Sequence, residues 1–343
     1  MQAIAAMSGT ANDDVEALFR EMIASSSDTG AASEEEATAA VEALRRRLQL
    51  APVPPAAKEP PIAALAEYGN RLPALSIAQI RTWERLVAEL PLHIVTVERE
   101  PVRLPPFTEE QAAAWHAVLD LDEHLSAHWC LIGGQLVTFV GYEYGRLEHR
   151  ATDDGDVVLG VWTHRGALRE ASTLLRERGF VEVTTSDAYG YRYQRGEASI
   201  DLLLPEEAEN EKHPPTTVTG RPGFVVPGGN QALIRAERVP VRLETRDGHV
   251  RRPRMLGAIV AKAAASVVDH RDPDRHRDDL VTLGDIALAN GLFRDMQREA
   301  GPKDRKRLRT ALEQLPLSHR AWRSIPNSPD VHTALTRLAK PNP

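Results

Sequence analysis

Leu131-Ile132-Gly133-Gly134-Gln135-Leu136-Val137, followed by Arg150-Ala151-Thr152-Asp153-Asp154-Gly155-Asp156-Val157-Val158, decides how this chain is read. The first stretch continues a short apolar strand, Trp129–Ile132, into a glycine pair. A helix start is expected over 135–142. The second stretch leads into a buried strand, expected over 156–162. Side chains alternate along a strand, so Asp154 and Asp156 share one side. Two carboxylates so placed repel unless a cation sits between them. Further on, Ser199-Ile200-Asp201-Leu202-Leu203-Leu204 puts a third acid inside an apolar strand expected over 198–204. An unpaired carboxylate there is costly or takes up a proton.

Three carboxylates on neighbouring strands make an all-oxygen donor set suited to Mg²⁺. Two-metal phosphoryl or nucleotidyl transfer uses such a set. That chemistry also needs close backbone approach to phosphates, which Gly133-Gly134 at a strand-to-helix turn would permit. Cationic groups must offset developing charge, and Lys262 lies on the otherwise apolar helix that contains Met255, Leu256, Ile259 and Val260. Each feature has a plainer reading. Gly-Gly is often only a tight turn, Asp-Gly-Asp a polar turn, and Lys262 a side chain that snorkels to solvent. Their order is more specific than any member.

Outward from this centre, Thr108…Gln111 forms a capping box for a helix to about residue 127. A helix is expected over 166–178, with Gly179 stopping it, then strands over 181–185 and 189–194. The sheet is expected to be mixed, with helices on one face. Residues 205–235 read as a polar, Gly/Pro-rich connection. Strands 239–243 and 249–252 flank Arg246-Asp247-Gly248, a hairpin signal. Pro253 is expected to open the Lys262 helix. Helices are expected near 276–290, 291–300, 303–315 and 328–339. Toward the N-terminus, helices are expected over 13–24, 33–49 and 76–90, with a Pro/Ala-rich connector over 51–61 and a strand over 93–97. The expected organisation is a weakly structured helical extension and linker (1–60), a small accessory unit (61–105), a catalytic core (106–245) and a C-terminal helical domain (246–343). The fold class is α+β.

The chain has 343 residues, 42% of them hydrophobic, enough for a real core. The single cysteine, Cys130, excludes an internal disulfide framework and fits a reducing cytoplasm. No signal peptide and no membrane span is expected, and the predicted location is cytoplasmic. The net charge of −7 is unevenly spread. Residues 211–343 carry 24 Lys/Arg against 15 Asp/Glu, while residues 1–110 and residues 111–210 are each net acidic. A nucleic-acid partner would meet the C-terminal part, although a solvated basic surface gives the same count. No Cys/His spacing suits zinc.

The Gly-Gly turn followed by Arg150-Ala151-Thr152-Asp153-Asp154-Gly155-Asp156 resembles the nucleotidyltransferase superfamily that includes DNA polymerase β. More narrowly it is similar to the AbiEii and MenT toxins of bacterial toxin–antitoxin systems. Leu256…Lys262-Ala263-Ala264-Ala265 and Arg275-His276-Arg277-Asp278-Asp279-Leu280 are similar to the family's lysine helix and its downstream acidic element, so the resemblance covers about residues 108–290. It implies a polymerase β-like core of mixed sheet and helices. It makes Asp154, Asp156 and Asp201 ligands of two Mg²⁺ ions and Lys262 a phosphate lysine. Asp279, or its neighbour Asp278, becomes a further catalytic acid. Gly133, Gly134, Arg150 and Thr152 would line the nucleotide, and Thr152 is also a candidate regulatory phosphosite. The implied reaction moves NMP from an NTP, with CTP a candidate, to the 3′ end of tRNA, and the implied partner is a cognate antitoxin. Gly155 stands where an apolar residue is usual. Two alternatives stay open: transfer to a protein or small molecule, and a non-catalytic nucleotide-binding module.

Overall fold

The computed structural model describes residues 94–146, 154–161, 164, 166–184, 188–206, 208, 214–244 and 246–340. The helices and connectors expected before residue 93 lie outside the described residues, as do Arg150 and Thr152.

Two short strands, β1 (Val95–Thr96) and β2 (Val102–Arg103), precede helix α1 (Glu109–His124). The expected capping box starts α1. Gln111 N–H donates to Thr108 Oγ1 at 3.3 Å, and Thr108 N–H donates to Gln111 Oε1 at 3.4 Å. β3 (Trp129–Ile132) then passes directly into α2 (Gly133–Glu143). The glycine pair is therefore the helix's own first turn, not a turn ahead of it. β4 (Asp154–Leu159) begins two residues earlier than expected, so both aspartates of the Asp-x-Asp lie on the strand.

Next come α3 (Ala167–Glu177), β5 (Val181–Glu182), β6 (Arg192–Arg195) and β7 (Ala198–Pro205). Gly179, at φ +83°, takes the left-handed conformation beyond α3. The stretch expected to be irregular carries β8 (Phe224–Val226) and α4 (Gly229–Leu233). Glu206 explains the second of these. Its carboxylate accepts from Gly228 N–H at 2.5 Å and Asn230 N–H at 3.2 Å, satisfying the orphan donors at the start of α4.

The main sheet runs β3-β4-β7-β6-β5, with β8 also paired to β7. β4 and β8 lie parallel to β7, while β3–β4, β6–β7 and β5–β6 are antiparallel. Helices cover both of its faces, not one. Leu168 of α3 meets Leu204 beside Gly223, whereas Gly229 of α4 approaches Val158 and Pro205 on the opposite face. The helix on that second face lies inside the stretch expected to be a loop.

A second sheet is built on the hairpin β9 (Ala236–Leu243) and β10 (Arg246–Pro253), with β1 and β2 parallel to β9. Leu243 pairs with Arg246, so Arg246-Asp247-Gly248 is strand and the reversal falls before it. Glu244, at φ +53°, begins that reversal. The boundary expected at 245/246 thus falls within the hairpin. Pro253 ends β10, and α5 (Met255–Val268) starts after it. The chain finishes with α6 (Pro273–Ala289), α7 (Phe293–Glu299), α8 (Pro302–Glu313), a 3₁₀ turn at Arg320–Ser324 and α9 (Ser328–Ala339).

The core is continuous from Trp115 and Phe139 through Val157 and Leu202 to Ile259, Leu283 and Leu335. Buried Arg305 ties the last helices together. It donates to Gln297 O and Ala300 O at the end of α7, and to Leu338 O and Lys340 O at the end of α9. One fixed cation thus satisfies two helix C-termini. No helix among the described residues is long and apolar enough to cross a membrane.

Candidate active site

The sheet register assembles the site. Ile132, the last residue of β3, lies opposite Asp156, and Asp156 lies opposite Asp201 of the parallel strand β7. On the far side of β7, Arg192 of β6 lies opposite Asp201. Asp156, Asp201 and Arg192 therefore form a row across three strands. Asp154, two residues before Asp156, is exposed and accepts a hydrogen bond from Ser199 Oγ.

The glycine pair is adjacent to this row. Gly133 has φ +68°, a region that suits glycine, and a Cβ placed there would overlap the Asp156 carboxylate. No other residue fits without displacing that acid. α2 thus starts against Asp156, with the unsatisfied N–H groups of its first turn at the same end of the sheet.

Gly155, which stands where an apolar residue is usual, has a packing role. It faces away from the two acids. A Cβ there would come within 2.6 Å of Ile200 Cδ1 and 2.8 Å of Gln135 Oε1. The strand needs a glycine so that the start of α2 and β7 can close over it.

Charge accumulates at the acid row. Burial, then the neighbouring charge of Asp201 and, more weakly, Asp154, push the Asp156 carboxyl up to about 7, while Lys262 and Arg275 pull the other way. Burial also raises Asp201, against the hydrogen bonds from Arg192. The Arg192 guanidinium is strengthened as a cation, chiefly by its bonds to Asp201.

The α5–α6 turn supplies positive charge. Lys262 is buried within α5, and its Nζ lies 2.5 Å from Asp279 Oδ2 of α6. The lysine does not snorkel to solvent. Asp278, the other candidate acid, is half-buried and lies 3.6 Å from Arg320. Asp269, just past α5, accepts from Arg271 N–H at 2.9 Å and holds Arg275 at 3.1 Å and His276 at 3.0 Å. Burial works against its ionisation, but these partners hold Asp269 down to about 2. Burial, with Lys262 and Arg275 beside it, lowers His276 to about 4, so the ring is neutral at pH 7.

Sequence reasoning gave no role to Arg192, Gln135, Ser199 or Arg275. Gln135 is buried with both amide heteroatoms unpartnered. Gln135, Ser199 and Arg275 lay within quoted stretches, and only pairing register could have found Arg192.

Asp154 and Asp156 offer hard oxygen donors on one face, and the upward pull on Asp156 marks a place short of positive charge. Both suit a hard divalent cation. The third acid is engaged elsewhere. Among the described residues, Asp154, Asp156 and Asp201 do not bring ligand atoms within 4.8 Å of one another. Asp201 turns both oxygens to Arg192. Asp120, Glu123 and His124 are gathered that closely, but Arg178 and Arg246 already neutralise the two acids.

No family model matches the chain, and no curated protein matches it. Two solved structures are similar to it. One is an antigenic nucleotidyltransferase-like protein from Paracoccidioides brasiliensis, at 16% identity and a TM-score of 0.40, covering 67% of this chain and 94% of that one. The other is the antibiotic-resistance factor ANT(2″)-Ia, at 18% identity and a TM-score of 0.31, covering 55% of this chain and 94% of its own.

Proposed function

We propose that this protein is a divalent-cation-dependent nucleotidyltransferase of the polymerase β-like kind, acting on an NTP. The observation that carries the reading is the register that puts Asp156 beside Asp201, with Gly133 pressed against Asp156 at the start of α2. A cation held by Asp154 and Asp156 would neutralise the triphosphate and activate the attacking hydroxyl. The chain's own groups do the remainder. The first turn of α2 presents backbone N–H groups to an anion. Arg275, steered by Asp269, offsets charge on the departing pyrophosphate. Lys262 fixes Asp279 and adds its charge to the field at Asp156.

The acceptor we favour is the 3′ hydroxyl of tRNA, as in AbiEii- and MenT-like toxins with a cognate antitoxin. Its support is the sequence pattern and the basic C-terminal third. One observation favours a second reading, a protein or small-molecule acceptor: many C-terminal arginines are spent in internal ion pairs. Arg235, Arg238, Arg251 and Arg252 all bind buried or half-buried acids.

The deciding experiment incubates the protein with each labelled NTP, CTP included, with Mg²⁺ and total tRNA. Label on RNA, protein and an added aminoglycoside is read separately. The expected result is label on RNA that disappears with Asp154→Ala. No transfer to any acceptor, or transfer undiminished in Asp154→Ala, would sink the reading.

A further inference from the structure

Asp201 is the central member of the row. Its side chain is almost fully buried, and both oxygens are taken by one guanidinium. Arg192 Nε donates to Oδ1 at 2.9 Å and Nη2 donates to Oδ2 at 2.8 Å. This is a two-point, charge-assisted contact, the strongest kind an arginine makes with a carboxylate. The two partners differ in access. Asp201 is locked in the sheet, whereas the Arg192 side chain is 37% exposed and lies over the Tyr191 ring at 5.9 Å. Arg192 can therefore leave without disturbing the sheet, and Asp201 cannot.

We propose that Arg192 is a resident counter-cation for Asp201, and that a divalent ion recruits Asp201 only by displacing it. The inference rests on the proposed cation site at Asp154 and Asp156. Arg192 is then a positioning residue. It keeps the third carboxylate charged and oriented while the site lacks a divalent ion, and it sets how tightly the ion is held. The same displacement releases a guanidinium beside the acid row, where an anionic substrate would meet it. An isolated acid in this position would be protonated or would destabilise the sheet. A permanently paired one would never join the cage. An exposed arginine with a strong but breakable contact avoids both outcomes.

The test is a Mn²⁺ titration followed by the resonance of the free ion, which needs no turnover. Wild type, Arg192→Gln, Arg192→Lys, Asp201→Asn and the double variant Arg192→Gln/Asp201→Asn are compared, each checked for a wild-type melting profile. Arg192→Gln removes a two-point charge-assisted contact that competes with the ion, so it is expected to bind Mn²⁺ about tenfold or more tightly than wild type. Arg192→Lys, which keeps the charge and loses the fork, falls between them. In the Asp201→Asn background the effect of Arg192→Gln vanishes. Unchanged or weaker binding in Arg192→Gln, or an effect that survives Asp201→Asn, overturns the inference. Asp154→Asn separates this from the underlying reading. If Mn²⁺ binding depends on Asp154 but ignores Arg192, only the inference falls. If no variant binds Mn²⁺, both fall.

Discussion

At the scale of single residues, the site depends on two glycines that look alike in sequence and act for different reasons. Gly133 leaves room for the Asp156 carboxylate, and Gly155 leaves room for Gln135 and Ile200 on the other face. Gly155→Ala overpacks that second face. It is expected to destabilise the protein by about 1–3 kcal/mol in a denaturant melt, and a simultaneous Gln135→Ala should recover part of the loss. Asp156 carries a different signature. Folded, it keeps its proton up to about pH 7, against an ordinary value of 3.8. The stability that proton confers is fully present below pH 4 and is lost as the pH rises through 7. A bound cation must displace the same proton, so apparent divalent affinity should climb between pH 5 and 7 and level off above. An affinity flat across that range would show that Asp156 is not a ligand. The residue types at this site were legible in the sequence, because Gly-Gly, Asp-x-Asp and a lone acid in an apolar run each violate a local expectation. Arg192 was not legible. An arginine on a short strand is unremarkable until the register places it opposite Asp201.

At the scale of elements, α5 and α6 are joined by a buried charge pair within an apolar contact. Lys262 and Asp279 are each about 5% exposed or less, and neither can lose its partner cheaply. Removing one member of a buried pair typically costs about 3–5 kcal/mol. Lys262→Met should therefore destabilise strongly in thermal or urea unfolding. Lys262→Met/Asp279→Leu should recover most of that stability, because apolar replacements of similar size are well tolerated at such sites. If the pair also serves the reaction, the double variant folds yet has lost transfer activity. If its role is only structural, activity returns with stability. Helix starts and stops were readable here where side chains announce them, as in the Thr108 capping box or Gly179 after α3. α4 was missed because its cap, Glu206, lies more than twenty residues upstream. The β9–β10 hairpin was placed with the wrong turn, because Asp-Gly signals a reversal locally while the pairing of Leu243 with Arg246 decides it.

At the scale of the whole molecule, the uneven charge reads differently once partners are visible. The C-terminal surplus of basic residues suggested a nucleic-acid surface, yet much of it neutralises acids inside the fold. Arg252 joins Glu143 and Glu237, Arg235 joins Glu299 and Asp304, and Arg307 joins Glu206. Composition cannot separate cations facing solvent from cations facing carboxylates. What remains for a polyanion is narrower. Lys303, Lys306 and Arg309 recur every three residues along α8, and all three are exposed. That spacing puts them on one side of the helix. If RNA is the acceptor, this stripe is its best electrostatic contact. The triple variant Lys303→Glu/Lys306→Glu/Arg309→Glu should then raise the KM for RNA without changing NTP binding. It should also flatten the salt dependence of RNA binding by about 2 in the log–log slope, since each single-strand phosphate contact contributes roughly 0.7. Filter binding from low to moderate salt measures that slope directly. An unchanged slope, with transfer to a protein or small molecule intact, would move the acceptor away from nucleic acid and leave the stripe as a solvated helix face.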